Sequence, residues 1–475
     1  MNVRLLAVLA ILAAGCAAPP SPPVMPRSSS VPPVPPVSTL SPLGRAVDAM
    51  FEAAARAERF SGAVLVAEHG QIVLARGYGY ADADARKPNG PETIFRIGSL
   101  TKQFTAAAIL VLEQQGKLRV TDRAAKYLPT YPADHLTVNG REVTIHDLLT
   151  HTAGIPAYEA TAHFREHAWR AVITPDEVIA AVSDKPLDHE PGTKHTYSNT
   201  GYVLLGRILE NVSGVSYREV LRHTLFEPAG MKDSGVALSR SDEARAALGH
   251  SKGLLGHTVL SQSASFGDPE LTIAYSAGSI YSTVKDLFLW DRALAGEAVV
   301  TAASKEKLFH PALQHYAYGW VVKDEQGIVS QWHNGALSPL GFTSGMLRLP
   351  KSGTLVVHLA NLDFGLVEPG LDERIESLAT GKPLPAKVVV GSEILKRYVG
   401  TYRLTPKISL VVTEVDGALF AQATGEGKNP LVPTSESEFR IPGAPLRFIF
   451  EVDETNAARG LRLETGSKTI EAKKE

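Results

Sequence analysis

Apolar residues recur with helical spacing in some segments of this chain and form short continuous runs in others. The segment SPLGRAVDAMFEAAARAERF, residues 41–60, predicts a helix. Two apolar runs, GAVLVAEHG and QIVLARGYGYAD, follow with His69-Gly70 between them, and this combination predicts a β-hairpin. Helical spacing returns in TKQFTAAAILVLEQQG and predicts an amphipathic helix that starts near Ser99 and ends at Gly116.

The later part of the chain changes pattern twice. Residues 121–271 are mostly helical pattern and loop, whereas YGWVVKDEQG, GFTSGMLRLP and GTLVVHLANLD are strand-like. Strands at both ends of a long helical segment predict an α/β fold with a helical lobe inserted between parts of the sheet. From about residue 390 the chain alternates around Asp416-Gly417, which predicts a small all-β domain over residues 390–475.

The N-terminal residues 1–18 are predicted to direct export. In MNVRLLAVLAILAAGC a positive charge at Arg4 precedes an apolar stretch and small residues, as in a secretory signal that is too short to span a bilayer stably. Cys16 is the only cysteine, so no disulfide can form within one chain. LAAGC resembles the bacterial lipobox, in which this cysteine is lipidated. The alternative is cleavage near Ala17 or Ala18, which would release a soluble protein.

Residues 19–42 are rich in proline and follow the signal directly. Proline fixes φ and removes amide donors, so this segment is predicted to be an extended tether. With a lipid on Cys16, the protein would be a membrane-anchored lipoprotein facing the periplasm; without it, a soluble periplasmic or secreted protein. A net charge of -2 over 475 residues gives no reason to expect a nucleic-acid partner.

Two short motifs suggest chemistry that their surroundings do not support. ALGHSKG contains G-x-S-x-G, which would make Ser251 the nucleophile of an α/β-hydrolase, but the strand–turn–helix context is missing. HFREH places His163 and His167 at the i and i+4 positions that two zinc ligands require. The surrounding pattern is that of a solvated helix without an obvious third ligand, so we expect no metal site there.

A third motif, S-x-x-K, places Ser99 and Lys102 at the start of the predicted long helix. The two side chains would lie one turn apart on one face, and a helix N-terminus favours an ionising serine and an oxyanion. A lysine can act as a base when burial lowers its pKa toward neutral. The same motif recurs at 282–285 and 304–307, and the position at the start of a long helix distinguishes Ser99.

Two further motifs follow in order along the chain. EPGTKHTYSNTGYVLLG contains Tyr197-Ser198-Asn199, and SQWHNGALSPLGFTSGML contains His333-Asn334-Gly335 at a predicted strand. With VTIHDLLTHTAGIP, LFEPAGMKDSG and AYSAGSIYSTVKDLFLW, they closely resemble the serine β-lactamase-like superfamily, in its branch of class C β-lactamases, S12-type D-alanyl-D-alanine carboxypeptidases and esterases. The resemblance runs from about residue 43 to 363. It implies the β-lactamase/transpeptidase-like fold over residues 43–380, with an antiparallel sheet flanked by helices and an inserted all-α lobe.

The resemblance also implies roles for the motif residues. Ser99 would be the acylated nucleophile, with Lys102 as its activating partner and Tyr197 as the shared acid and base. The backbone N–H groups of Ser99 and Ala336 would form the oxyanion hole. Whether Lys102 or Tyr197 is the proximal base stays open. No cofactor is implied, and the substrate would be a small-molecule ester, peptide or cell-wall-related compound.

Four further residues would contact the substrate: Asn199, His333, Asn334 and Gly335. His333 stands where β-lactamases have the lysine of K-T-G, and histidine is mostly neutral near pH 7. We therefore expect hydrolysis of carboxylesters or small D-amino-acid peptides with weak or no β-lactamase activity. The alternatives are a penicillin-binding D-alanyl-D-alanine carboxypeptidase, a class C-like β-lactamase, or a non-catalytic receptor lipoprotein. SEILKRYVGTYRL resembles the opening of the lipocalin-like β-domain that follows the catalytic domain in some family peptidases.

Overall fold

The computed structural model describes most of the chain from residue 40 onward. The described residues are 40–161, 164, 172–252, 258–260, 271–337, 340–363, 367, 370–384, 388–405, 408–415, 417–424, 428–441, 446–455, 457–465 and 468–475. None of the helices within these ranges is both long and apolar enough to cross a membrane.

An antiparallel sheet of six strands organises the first part of the molecule. Its strands are β1 (Gly62–Glu68), β2 (Gln71–Tyr78), β3 (Val321–Glu325), β4 (Ile328–Leu337), β5 (Phe342–Leu349) and β6 (Thr354–Ala360). They lie in the order β3-β4-β5-β6-β1-β2. Strand β6 therefore pairs with β1, and the sheet combines strands from before and after the helical segment. The predicted hairpin is confirmed, because His69 and Gly70 connect β1 and β2 with φ of 50° and 72°, the left-handed values that a two-residue turn requires.

Helices cover both faces of this sheet. The helices of the described residues are α1 (Pro42–Arg56), α2 (Thr101–Gln114), α3 (Ile145–Leu149), α4 (Pro175–Ala180), α5 (Asn199–Ser213), α6 (Tyr217–Leu221), α7 (Glu227–Ala229), α8 (Arg240–Glu243), α9 (Tyr275–Gly278), α10 (Val284–Ala295), α11 (Ala302–Leu308), α12 (Leu371–Thr380) and α13 (Ser392–Tyr398). Leu65 of β1 belongs to the larger apolar core on the side of α2, and Val66 belongs to the core beneath α1 and α12. This alternation of β1 side chains gives the sheet two buried faces.

The first helix starts inside the segment predicted as a tether. Pro42 is its first residue, and the Ser41 hydroxyl accepts the N–H of Gly44 at 3.0 Å as the N-cap. Pro42, the last residue of the segment 19–42, is therefore the first residue of α1, and the bounds of the tether stay a prediction.

Helix α2 is buried on every side rather than amphipathic. All residues from Thr101 to Leu112 are buried, because α5, α9 and α11 pack around the helix. The predicted end is confirmed: the helix stops at Gln114, and Gly116 has a left-handed φ of 70°. A helix buried all round provides the low-dielectric position that a lysine base needs.

Short strand pairs tie the loops together. They are Tyr80–Asp82 with Lys87–Pro88, Phe95–Arg96 with Tyr281–Ser282, Thr137–Val138 with Arg141–Glu142, and His250–Lys252 with Thr258–Leu260. The second pair connects the segment before Ser99 to the segment before α10.

The C-terminal residues form a closed eight-stranded antiparallel barrel after α13. Its strands are β7 (Gly400–Thr405), β8 (Ile408–Val415), β9 (Ala418–Ala423), β10 (Lys428–Pro433), β11 (Glu438–Arg440), β12 (Leu446–Val452), β13 (Ala458–Thr465) and β14 (Lys468–Lys474). The rings of Tyr398, Tyr402, Phe439 and Phe450 pack in its core. The predicted all-β domain is confirmed from Gly400 onward, whereas Ser392–Tyr398, inside the predicted range, form helix α13.

Candidate active site

Ser99 lies in a tight turn that leads into α2. The turn is a 3₁₀ helix over Gly98–Leu100, and Gly98 has a left-handed φ of 52°. A methyl group on Gly98 would lie 3.0 Å from the backbone nitrogen of Ala336 on β4. The turn therefore presents Ser99 at the edge of the sheet, where the backbones of the two segments nearly touch.

Lys102 lies one turn further on and is completely buried. Its Nζ lies 3.1 Å from Ser99 Oγ, 2.7 Å from Asn199 Oδ1 and 2.8 Å from the carbonyl oxygen of Ala277. Burial lowers the pKa of Lys102 to about 7, although the charge of Glu159 acts in the opposite direction. In the neutral amine, two N–H groups serve the two carbonyl oxygens and the lone pair is left facing the Ser99 hydroxyl.

Tyr197 contacts both of these residues. The Ser99 hydroxyl lies near enough to its phenol to lower the pKa of Tyr197, and the Lys102 Nζ lies 4.8 Å from its ring centroid. Burial of the site raises the pKa of Tyr197, and the interaction with Ser99 only partly offsets this. The residue nevertheless keeps 43% of its surface exposed, so it lies where a substrate could reach it. The phenol is therefore a proton donor at neutral pH.

Asn199 is the first residue of α5 and connects Lys102 to a carboxylate. Ser198 caps this helix through a 3.2 Å bond from the N–H of Gly201, which fixes where the Asn199 side chain begins. The Asn199 Nδ2 donates to Glu159 Oε1 at 2.6 Å. The negative charge of Glu159 raises the pKa of both Lys102 and Tyr197. No motif marks Glu159 in the sequence, where its position three residues after VTIHDLLTHTAGIP is the only signal.

His333 is buried beside Tyr197 on β4. Its Nδ1 lies 2.6 Å from the carbonyl oxygen of Asn334, so Nδ1 carries the proton and Nε2 accepts from the Tyr316 hydroxyl at 3.0 Å. Its ring centroid lies 6.3 Å from that of Tyr197. Burial lowers the pKa of His333 to about 3, and the nearby Lys102 adds to this effect. The imidazole is therefore neutral at physiological pH.

Gly335 allows β4 to approach the Ser99 turn. A methyl group on Gly335 would lie 2.2 Å from the carbonyl oxygen of Ile97 and 2.9 Å from the nitrogen of Ser99. Side chains alternate along a strand, so Asn334 lies on the face of β4 opposite to His333. The assignment of Asn334 to substrate binding stays a prediction.

Of the other candidate motifs, those that the structure describes lie outside this group of side chains. Ser251 lies within the short strand His250–Lys252 and not at a strand-to-helix turn. His163 and His167 fall outside the described residues. The Ser282 hydroxyl lies 2.8 Å from that of Ser234, in the segment that leads into α10, and Lys285 of the same motif is bonded to Glu92. In the remaining repeat of the motif, the serine at 304 lies inside the first turn of α11.

The family of the chain follows from sequence comparison. The Beta-lactamase family profile matches residues 47–380, well over half of the chain, and the chain belongs to this family of serine hydrolases. Penicillin-binding protein 4* of Bacillus subtilis (strain 168) is 29% identical over 446 residues, covering 88% of this chain and 96% of that protein. A match of that extent includes part of the barrel as well as the sheet.

Solved structures agree with this assignment. The octameric penicillin-binding protein homologue from Pyrococcus abyssi has a TM-score of 0.64 at 26% identity, covering 91% of this chain and 100% of that chain. A penicillin-binding protein from Bacillus halodurans has a TM-score of 0.60 at 26% identity, covering 69% of this chain and 98% of that chain. The β-lactamase/transpeptidase-like fold implied by the motifs is thereby confirmed.

Proposed function

We propose that this protein hydrolyses carboxylesters or small D-amino-acid peptides through an acyl-enzyme on Ser99, with weak or no β-lactamase activity. The observation that carries the proposal is the environment of Lys102. This amine is completely buried, is bonded to two carbonyl oxygens and lies 3.1 Å from Ser99 Oγ. In its neutral form it is positioned to accept a proton from that hydroxyl.

The reaction balances with the groups present. The Ser99 hydroxyl loses its proton to the Lys102 amine, directly or through Tyr197, while Oγ forms a bond to the carbonyl carbon of the substrate. The N–H groups of Ser99 and Ala336 stabilise the oxyanion. The carbonyl–leaving group bond then breaks, and the leaving group takes a proton from Tyr197, which regains one from the Lys102 ammonium if that group holds it. Water attacks the Ser99 ester in the second half, with the same groups accepting and returning a proton.

The charges around Ser99 support the choice of substrate. His333 is neutral, with its pKa lowered to about 3, and Lys102 titrates at about 7. Glu159 adds a carboxylate bonded to Asn199 at 2.6 Å. Neither His333 nor Lys102 therefore provides a permanent cation for a substrate carboxylate. A β-lactam or a D-alanyl-D-alanine terminus would therefore lack its usual counter-charge.

Comparing two chromogenic substrates tests this function. We expect the purified protein to hydrolyse a short-chain p-nitrophenyl ester and to leave nitrocefin almost untouched. Ser99→Ala should reduce ester hydrolysis by at least about 1,000-fold. Rapid nitrocefin turnover would contradict the proposed substrate class, and an unchanged rate in Ser99→Ala would contradict the proposed nucleophile.

Penicillin binding is the second candidate function. The curated relative and both solved structures carry that description in their names. A fluorescent penicillin that labels Ser99 stoichiometrically and persistently, without ester turnover, would favour this alternative. A receptor without catalysis would give neither ester turnover nor a covalent adduct.

We also propose that Cys16 carries a lipid and that the protein is exported to the periplasmic face of a membrane. The support is the signal-like sequence and the proline-rich segment that follows Cys16. Cys16→Ser should move the protein from the membrane fraction to the soluble fraction and abolish incorporation of labelled palmitate. Membrane association that is unchanged in Cys16→Ser would contradict the anchor.

A further inference from the structure

We infer that His151 is a positioning residue that fixes Tyr197 through the backbone on both sides of it; this inference rests on the proposed function. His151 follows α3 in the segment LTHTAGIP and is only 2% exposed. Nothing in the proposed reaction uses its side chain as an acid, a base or a ligand.

His151 binds both neighbours of Tyr197. The N–H of Thr196 donates to the His151 carbonyl oxygen at 2.8 Å, and the N–H of Ser198 donates to His151 Nδ1 at 3.1 Å. Tyr197 is the residue between these two donors. A single residue therefore determines the backbone direction immediately before and after the phenol that contacts Ser99.

The ring of His151 also lies against the ring of Tyr197. The two centroids are 4.3 Å apart, and the Tyr316 ring lies 4.6 Å from His151 on another side. Because Nδ1 accepts from Ser198, the proton of the neutral ring is on Nε2, which has no hydrogen-bond partner among the described residues. The imidazole is thus an acceptor with no proton relay attached to it.

The groups that face this ring keep it neutral. Burial lowers the pKa of His151 well below its usual range, and Lys102, His195 and His333 all act in the same direction. The hydroxyls of Tyr197, Tyr202 and Tyr316 add no anion, since burial raises the pKa of each of them. Nδ1 is therefore available as an acceptor across the physiological pH range.

The backbone of His151 decides which substitutions are informative. Its φ of 58° is left-handed, a conformation that glycine and asparagine adopt most easily. Asparagine also places Oδ1 where histidine has Nδ1, so His151→Asn keeps the acceptor and the backbone conformation. His151→Gly loses the ring together with Nδ1, and His151→Phe keeps an aromatic ring but loses the Nδ1 acceptor. All three variants keep the backbone carbonyl that accepts from Thr196.

The test is ester hydrolysis by these variants. We expect kcat to fall by about 10- to 100-fold in His151→Phe and His151→Gly with KM nearly unchanged, and to stay within about fivefold of wild type in His151→Asn. The matched control is His358→Phe, because His358 is equally buried but packs against Phe51 on the other face of the sheet. That control should change Tm without changing kcat.

A double-mutant cycle shows whether His151 acts through Tyr197. In a Tyr197→Phe background, His151→Gly should reduce kcat by less than twofold, because the group it positions is already absent. A full additional loss in that background, or equal kcat in His151→Gly and wild type, would overturn the inference while leaving the proposed function intact. Absence of ester hydrolysis in the wild type would instead contradict the proposed function, and the positioning role would fall with it.

Discussion

The amino group of Lys102 lies 3.1 Å from the hydroxyl oxygen of Ser99, although the Lys102 side chain has no exposed surface. Burial of an ammonium is costly, and the structure offsets this cost with two carbonyl acceptors and with the nearby Glu159. A buried lysine that served only to stabilise the fold would be charged and paired directly with a carboxylate. The surroundings of Lys102 instead leave its amine close to half-protonated at neutral pH.

The pH dependence of the rate follows from this value. Lys102 acts as a base only when neutral, and its pKa is lowered to about 7. We expect kcat/KM for an ester to rise with pH through about 7 and then to level off. Lys102→Arg keeps a charge at every accessible pH, so it should lose activity by at least about 1,000-fold and show no such rise. A flat profile between pH 5.5 and 9 in the wild type would contradict the role of Lys102.

The charge of Glu159 affects the pH at which Lys102 loses its proton. Its charge raises the pKa of Lys102, so Glu159→Gln should lower this pKa and shift the rise in kcat/KM to lower pH by up to about one unit. The pH profile of ester hydrolysis measures the shift. Glu373→Gln, on α12 at the other face of the sheet, is the matched control and should leave the profile in place. A shift to higher pH in Glu159→Gln would have the wrong sign for this explanation.

The neutral ring of His333 is expected to limit reaction with penicillins. His333→Lys would place an ammonium beside Tyr197, where β-lactamases have one, and should raise the rate of acylation by a fluorescent penicillin about 10-fold. His333→Gln, which is neutral, should give no such increase. Equal acylation rates in His333→Lys and His333→Gln would show that charge at this position does not control the substrate class.

Close contact between β4 and the Ser99 turn is expected to be essential. In Gly335→Ala, the new methyl group would lie 2.2 Å from the carbonyl oxygen of Ile97, so the strand must move away from Ser99. We expect a loss of kcat of about 100-fold or more, because the oxyanion donors separate. Gly90→Ala is the control, since nothing lies within 4 Å of its added methyl group. Full activity in Gly335→Ala would contradict the proposed oxyanion hole.

The local sequence pattern predicted the helices and strands but not which residues pack around them. The hairpin at His69-Gly70 and the end of α2 at Gly116 depend on residues next to each other in the sequence, and both are confirmed. The amphipathic character of α2 was wrong, because helical spacing of apolar residues shows one buried face and does not show that alanines and threonines fill the others. That burial determines the pKa of Lys102.

For the candidate active site, too, local motifs predicted the central residues but not the residues around them. The order of three motifs was enough to name Ser99, Lys102 and Tyr197, and the structure brings these three side chains together. The carbonyl of Ala277 bonds to Lys102 from a distant part of the chain, and Glu159 acts on Lys102 through its charge while bonded to Asn199; no motif marks either residue. Their contribution appears only when the segments are packed against α2.

The most direct test of the account is to identify the residue that a fluorophosphonate modifies. The protein from Ser41 onward is treated with the probe, and the adduct is mapped by peptide mass spectrometry. The account predicts a single adduct on Ser99 that is lost in Ser99→Ala and strongly reduced in Lys102→Arg. An adduct on Ser251, or no adduct in a protein that still hydrolyses esters, would contradict it.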